Sequence, residues 1–308
     1  MTKWLTIVLL ILAQSLSAQL TYDNLFVDYD SVVTYKNLRI IPIRRKGPPA
    51  DLPALQHTIS LSQALQQNLV QVQERGTTAI ENVHWLSLYN NSDKNVLISS
   101  GELLAGGRQD RVVTKDTLVM ARSGRIDLPV MCVEEGRWSE KDHKFLYQKM
   151  ADMHLRKTID IMRSQVQVWK EVDAQLEKVK IKNKTISYLA RQRDKAYLRQ
   201  QTDYQLFFED RLAQPDSSVV GIACISGNKI LGSDIFISSP LFYGKWQALL
   251  QGYIEEAIAF GETPSVSNAA MHAYLDQFLT DEASQELFVK KNGKQFKAGG
   301  KVIHLTTY

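Results

Sequence analysis

Two short segments concentrate the residue types that recognise or transform anions. Gly101-Glu102-Leu103-Leu104-Ala105-Gly106-Gly107-Arg108-Gln109-Asp110-Arg111 sets three glycines, which allow tight turns and close backbone approach, among opposed charges. Cys132-Val133-Glu134-Glu135-Gly136-Arg137-Trp138 adds two carboxylates, an arginine and an indole at what reads as the exit of a strand. A guanidinium grips a carboxylate or phosphate through paired hydrogen bonds, and an indole offers a face on which a base or sugar ring stacks. Gln109, Arg111, Arg137 and Trp138 are therefore the candidate ligand-binding residues, suited to a small anionic or nucleotide/sugar-derived ligand. Glu102 and Glu134 are the candidate catalytic pair of a hydrolase, one carboxyl acting as acid and the other as base. The structural alternative is that Glu102 pairs with Arg111, or Glu134 with Arg137, and the segments only staple loops in an envelope interaction protein.

Much other chemistry is excluded. The Gly101 to Arg108 stretch has the glycine spacing of a phosphate-binding loop but not its Lys and Ser/Thr. Neither a Gly-x-Ser-x-Gly elbow nor a His-Glu-x-x-His helix is present. The six histidines (His57, His84, His143, His154, His272, His304) are scattered without metal-ligand spacing, so neither a metal nor a cofactor is expected. With 37 basic and 33 acidic side chains the net charge is +4, without the basic stripe of a nucleic-acid binder.

The elements that must position the two segments follow from periodicity. Leu38 to Ile43 reads as a strand ended by Gly47-Pro48-Pro49, and Leu61 to Asn68 as a helix capped by Ser60 or Thr58. From Val70 to Val133 short apolar runs alternate with turn residues. Among them Val83 to Tyr89 and Val96 to Ser99 flank Asn90-Asn91-Ser92-Asp93, a turn of the hairpin kind. From Ser139 the period becomes helical, and Met162, Val166, Trp169, Val172, Leu176 and Val179 form one apolar stripe. That stripe predicts Trp169 in the core, where truncation to Ala would cost about 3 to 5 kcal/mol. A second helical stretch spans Thr185 to Leu212. A hairpin follows at Gly227-Asn228, then helices over Pro240 to Phe260 and Asn268 to Leu279, and a strand over Lys301 to Leu305.

This order predicts an α+β fold: an N-terminal antiparallel β-rich sandwich or barrel-like part, then a helical region with an inserted β-hairpin. The expected boundaries are 30–138 for the β-rich part, 139–213 for the mainly helical part, and 214–308 for the hairpin and C-terminal helices. Together they form a single domain over 19–308. Residues 1–18 read as a signal peptide, with Lys3 before the apolar run Trp4 to Ala13 and small residues before Gln19. The run is short of the roughly 20 residues that span a bilayer. The mature chain is thus expected to be exported, periplasmic or secreted, without an integral membrane segment. Export would permit a disulfide between Cys132 and Cys224, but both sit in apolar β-prone runs where a free thiol packs as a small hydrophobe, and the pairing stays open.

The chain resembles a bacterial domain family named for its association with ADP-ribosylglycohydrolases and rhodanese-phosphatases, the ARPP type, whose activity is unassigned. The specific pieces are the Gly101 to Arg111 and Cys132 to Trp138 segments. Supporting ones are Asn37 to Ile43, Asn91 to Ile98, Gln165 to Val172, Val220 to Trp246 and Val302 to Leu305, so the likeness covers nearly all of the mature chain. It implies a site built from Glu102, Gln109, Arg111, Glu134, Arg137 and Trp138, with Gln165, Trp169 and His304 as further positions. By association alone it implies a ligand related to ADP-ribose. The export signal is a departure, because it separates this chain from cytoplasmic NAD-derived metabolites.

Overall fold

A computed structural model describes residues 20–48, 55–77, 80–137, 144–212 and 215–308. The signal segment 1–18 and Trp138 lie outside the described residues. The chain opens with β1 (Leu25–Val27), β2 (Val33–Tyr35), β3 (Leu38–Arg45), β4 (Thr58–Ser60) and the short helix α1 (Leu61–Gln66). Ser60 caps α1 reciprocally, its hydroxyl accepting from the Gln63 N–H while the Gln63 side chain accepts from the Ser60 N–H. Seven strands follow: β5 (Val70–Thr77), β6 (Ile80–Asn90), β7 (Asn95–Ile98), β8 (Glu102–Ala105), β9 (Arg111–Val113), β10 (Thr117–Val119) and β11 (Gly124–Cys132). After β12 (Glu134–Glu135) and β13 (Leu146–Met150) come α2 (Met153–Lys157), which runs into a π turn over Thr158–Met162, and α3 (Gln165–Lys178). Next are β14 (Ile186–Ser187), a 3-10 turn over Tyr188–Arg193 and α4 (Lys195–Leu212). The last third holds β15 (Val219–Ser226), β16 (Lys229–Phe236), α5 (Ser239–Phe260), α6 (Asn268–Leu279), α7 (Glu282–Asn292), β17 (Gly293–Ala298) and β18 (Lys301–Thr307).

The expected α+β architecture holds, with a half-barrel as its β-rich part. Six antiparallel strands in the order β13-β8-β9-β11-β6-β5 form the half-barrel. Period-two alternation sends Val70 and Val72 of β5, Leu86 and Leu88 of β6, and Leu128 and Val130 of β11 into one interior shared with Leu61, Leu104 and Phe145. A second sheet runs β1-β3-β15-β16-β18-β17, with β2 also on β3. The β15–β16 hairpin is therefore the centre of a sheet begun by residues 25–45. One face of this sheet, including Ile222, Cys224 and Phe236, packs on α5; the other, including Ala223, Ile225 and Ile235, packs on α6.

Several local expectations change. The Asn90 to Asp93 turn does not close a hairpin: β6 pairs with β5 and β11, whereas β7 pairs with β4 and β10, so the chain changes sheet there. Residues 146–150, read as helical, form a strand because β8 offers a partner edge. The apolar stripe breaks at Arg163, which adopts a left-handed φ of 51° and separates Met162 from α3. The buried face of α3 is Val168, Val172, Gln175 and Leu176, while Val166 is exposed and Trp169 half-buried. Trp169 is thus not the core anchor its spacing suggested. Helix α7 and strand β17 were not foreseen. Cys132 and Cys224 are buried and both free, one in the half-barrel and one on the second sheet.

Helix α5 joins the two sheets through buried ion pairs. Lys245 Nζ lies 2.7 Å from Glu102 Oε1 and donates to the Leu97 carbonyl. Nearly three turns on, Glu255 receives Lys149, lies 3.5 Å from Arg191, and accepts from the Tyr188 hydroxyl at 2.9 Å. Asp152 faces the same groups, 2.8 Å from the Tyr188 oxygen and 3.2 Å from Arg191. Burial brings the Lys149 ammonium down to about 8, against the pull of Glu255 and helped by the nearby Arg191. Beside them Glu256 contacts His154 Nδ1 at 2.5 Å, which raises the imidazole's pKa.

Candidate functional site

The turn between β8 and β9 is built to bring charge to the rim of the half-barrel. Gly107 has φ +51°, and a Cβ there would fall 2.3 Å from the Phe145 ring and 2.4 Å from Glu74 Oε1. Gly106 has φ +129°, and its Cβ would meet the Lys144 carbonyl at 2.5 Å. Only the double glycine lets the turn lie this close to β5 and the start of β13. The Arg108 N–H donates to Glu74 Oε1 at 2.8 Å, and Asp110 turns back to accept from the Gly106 N–H at 3.1 Å.

β11 delivers the second segment beside this turn. Cys132 pairs in register with Arg111, and the Val133 N–H bonds the Asp110 carbonyl, so β12 leaves directly over the turn. Arg137 then bridges both segments, with Nε 2.5 Å from Glu134 Oε2 and Nη2 2.8 Å from Asp110 Oδ1. Gln109 donates to the Glu134 carbonyl, and Thr185 donates to Glu134 Oε1. Glu134 and Asp110 are nearly buried, whereas the Arg137 side chain is 29% exposed and is the cluster's opening to solvent. Burial, reinforced by the charge of Glu134, pushes the Asp110 carboxyl above its ordinary value.

Arg111 sits beneath this rim with no exposed surface. Its Nη1 donates to the Gln109 carbonyl, to Gln109 Oε1 and to Cys132 Sγ. Its Nε and Nη2 make no hydrogen bond, and the nearest carboxylate oxygen, Glu74 Oε1, stands 3.6 Å from Nη2. These two nitrogens form one edge of the guanidinium, the edge that takes a carboxylate or phosphate in a bidentate grip. The Cys132 thiol is pushed up by burial, with Arg111 pulling the other way, so it sits here as an inert neutral group.

Residues 26–305 match the family described as the ARG and Rhodanese-Phosphatase-superfamily-associated Protein domain, ARPP-1. The chain belongs to this family. No curated protein and no solved structure matches it.

In this ARPP-1 domain four of the residues singled out from the sequence meet: Gln109, Arg111, Glu134 and Arg137. Glu102 does not join them. It starts β8 at the end away from the turn, fully buried, with Oε2 on the Ser99 N–H and Oε1 on Lys245, and shares no partner with Glu134. Gln165 supports the cluster from α3, its carboxamide bonding both the N–H and the carbonyl of Cys132 at 2.8 and 2.7 Å. Trp169 lies one turn further along α3, its indole N–H without an acceptor. His304 belongs elsewhere, held by Asp234 at 2.9 Å and stacked on Phe236 in the second sheet. Sequence reading missed Glu74 and Thr185. Glu74 had a signal: it continues the inward phase of Val70 and Val72, an acidic side chain where an apolar one is expected. Among the described residues no group of His, Cys, Asp and Glu is arranged to hold a metal ion.

Proposed function

We propose that this ARPP-1 domain is an exported recognition module whose rim cluster binds a small anion, with phosphate groups of a nucleotide- or sugar-derived molecule as the favoured class. The single observation that carries the reading is the buried Arg111 edge, two donor nitrogens without acceptors, joined through Gln109 to the Glu134 that the part-exposed Arg137 holds. A buried guanidinium left half-satisfied is unfavourable, and an anion with two oxygens would complete it. Trp138 directly follows Arg137 and is the residue assigned to stack on the ligand's ring. The family's association with ARG and rhodanese-phosphatase proteins makes ADP-ribose and pyrophosphate the first probes.

The test is calorimetric titration of the mature chain with each probe at low salt. Wild type binds, and Arg137→Gln binds at least about tenfold more weakly at unchanged melting temperature, as loss of a charge-assisted hydrogen bond requires. Equal affinity in wild type and variant would remove the rim as a site, leaving the envelope interaction role. The hydrolase reading, with Glu102 and Glu134 as acid and base, predicts turnover that Glu134→Gln abolishes. Export is supported by the Lys3 to Ala18 pattern, and the intact mass of the released protein should place its first residue at Gln19. A mass that begins at Met1 would refute cleavage.

A further inference from the structure

A cavity of about 170 Å³ lies between the start of α2, the end of α5, the β15–β16 hairpin and Tyr308, and none of its lining residues belongs to the rim cluster. A cavity of about 150 Å³ accepts benzene, so this one holds a body of about six heavy atoms. Its walls are mainly apolar, and Ile230, Leu231, Phe260 and Tyr308 are half-buried there, so the apolar face is open to a ligand. The charged residues of the lining are His154, Lys157, Lys229 and Glu256. Lys157 and Lys229 are exposed and form no ion pair among the described residues.

The imidazole is held in place from two sides. Glu256, itself buried, accepts the His154 backbone N–H on Oε2 at 3.3 Å and lies with Oε1 2.5 Å from Nδ1. The Phe260 ring stacks on the imidazole, 4.4 Å between centroids and 21° from parallel. Nε2 has no hydrogen-bond partner among the described residues, on a side chain that is 43% exposed. A carboxylate on Nδ1 fixes a proton there and leaves Nε2 as the working nitrogen, an acceptor when the ring is neutral and a charged donor when it is protonated. Glu256 from α5, then Asp152 ahead of α2 and Glu171 from α3, raise the imidazole's pKa against the effect of burial. Burial pushes the Glu256 carboxyl up, and its bond to His154 draws it down. Of the other titratable groups nearby, Lys178 lies 4.9 Å over the Phe260 ring, and the Tyr308 hydroxyl, donated to Asp160, is pushed well up by burial and stays neutral.

We propose that this cavity binds a short-chain carboxylate, with the alkyl part against Ile230, Leu231 and Phe260 and the carboxylate between His154 Nε2 and the ammonium groups of Lys157 and Lys229. The apolar walls disfavour a bare inorganic anion, and the cations disfavour a neutral molecule. The site depends on neither Arg111 nor Arg137 and differs in kind from the rim: it takes one charge on a small apolar body rather than phosphate groups.

A proton-shift titration of the mature chain with butyrate, 1-butanol and inorganic phosphate tests the assignment, read at the His154 ring signal that His154→Gln removes and at the Leu231 methyls. At pH 6 butyrate should move both signals and saturate one to one, whereas 1-butanol, which has no charge, and phosphate, which has no apolar body, should each bind at least about tenfold more weakly. Raising the pH to 9 keeps butyrate and both lysines charged but neutralises the imidazole, and should weaken butyrate about tenfold. In His154→Gln the affinity at pH 6 should fall to the wild-type value at pH 9, and the pH dependence should vanish. Lys229→Gln, at an exposed position, should weaken butyrate about threefold with wild-type melting temperature. Arg137→Gln should bind butyrate as wild type does. Butyrate affinity that is equal at pH 6 and 9, that survives in His154→Gln at pH 6, or that is lost in Arg137→Gln would overturn the proposal. So would the absence of any shift well above the millimolar affinity expected of a ligand of about six heavy atoms. Tighter binding of 1-butanol or phosphate than of butyrate would overturn the carboxylate assignment.

Discussion

The rim cluster and the interior cluster under α5 are made of the same groups, arginines against carboxylates, yet they are built for different ends. In the interior, Lys149, Asp152, Tyr188, Arg191 and Glu255 are all at most 5% exposed and face one another across four elements. At the rim, Arg137 is open to solvent and bridges only two adjacent segments. Both contain an arginine with unpartnered nitrogens, Arg111 and Arg191. The surroundings separate them. Arg191 is covered by aromatic faces, 4.1 Å above the Tyr188 ring and 5.9 Å from that of Tyr197, whereas Arg111 is held by Gln109 and Cys132 with no aromatic ring over it among the described residues. The closed cluster fixes how sheets and helices meet; the rim cluster reaches solvent through Arg137.

The largest expected effect follows from breaking the interior. Glu255→Ala leaves Lys149 and Arg191 sharing Asp152 alone, and should cost about 3 to 5 kcal/mol in denaturant unfolding, because an uncompensated buried charge remains. Arg137→Ala should cost no more than about 1 kcal/mol, since its pairs are partly solvated. Equal costs for the two would erase the distinction.

Lys149 sharpens the contrast through pH. Its folded pKa of about 8 is below its ordinary 10.5, so between these values the unfolded chain holds more protons than the folded one. Stability from this group therefore rises as pH goes from about 8 to 10.5. Lys149→Met should lack that rise relative to wild type, and an identical pH profile would contradict the burial argument. No such alkaline rise is expected from the rim.

His154 gives a smaller effect of opposite sign. Its pKa is raised by Glu256, so its contribution is complete below pH 6.5 and is lost as pH climbs through the raised folded value. With the imidazole 43% exposed, His154→Asn should remove under about 1 kcal/mol, measured as the difference in unfolding free energy between pH 6 and 9. The smallest effect is none at all. Cys132 and Cys224 are free, so a reducing agent should leave the melting temperature unchanged, and both thiols should label only after denaturation.

The sequence carried the elements and part of the rim, for physical reasons that differ by residue. Gly106-Gly107 and the Cys132 to Arg137 run are local signals, and both ended up at one place because β9 and β11 are neighbours. Glu102 belongs to the same run as Arg111, yet a strand of four residues carries it to the other end of the ladder and into the reach of Lys245, 143 residues away. The interior cluster was not legible at all. Lys149 and Arg191 lie in ordinary mixed polar stretches and Glu255 in an apolar helix, and only the packing of α5 on β13 and the 3-10 turn makes them buried partners. Trp169 shows the reverse error, a periodic pattern read across a break at Arg163 that a single left-handed residue introduces.

The most direct test of the rim reading is the arginine Nε–H region of a proton–nitrogen correlation spectrum during titration with pyrophosphate, with the Arg111 signal assigned by its loss in Arg111→Lys. The Arg111 Nε–H should shift as the anion's oxygens accept from its unpaired edge, while that of Arg191 stays in place. An Arg111 signal that does not move at saturating pyrophosphate, or an Arg191 signal that moves with it, would contradict the assignment of the rim as the site.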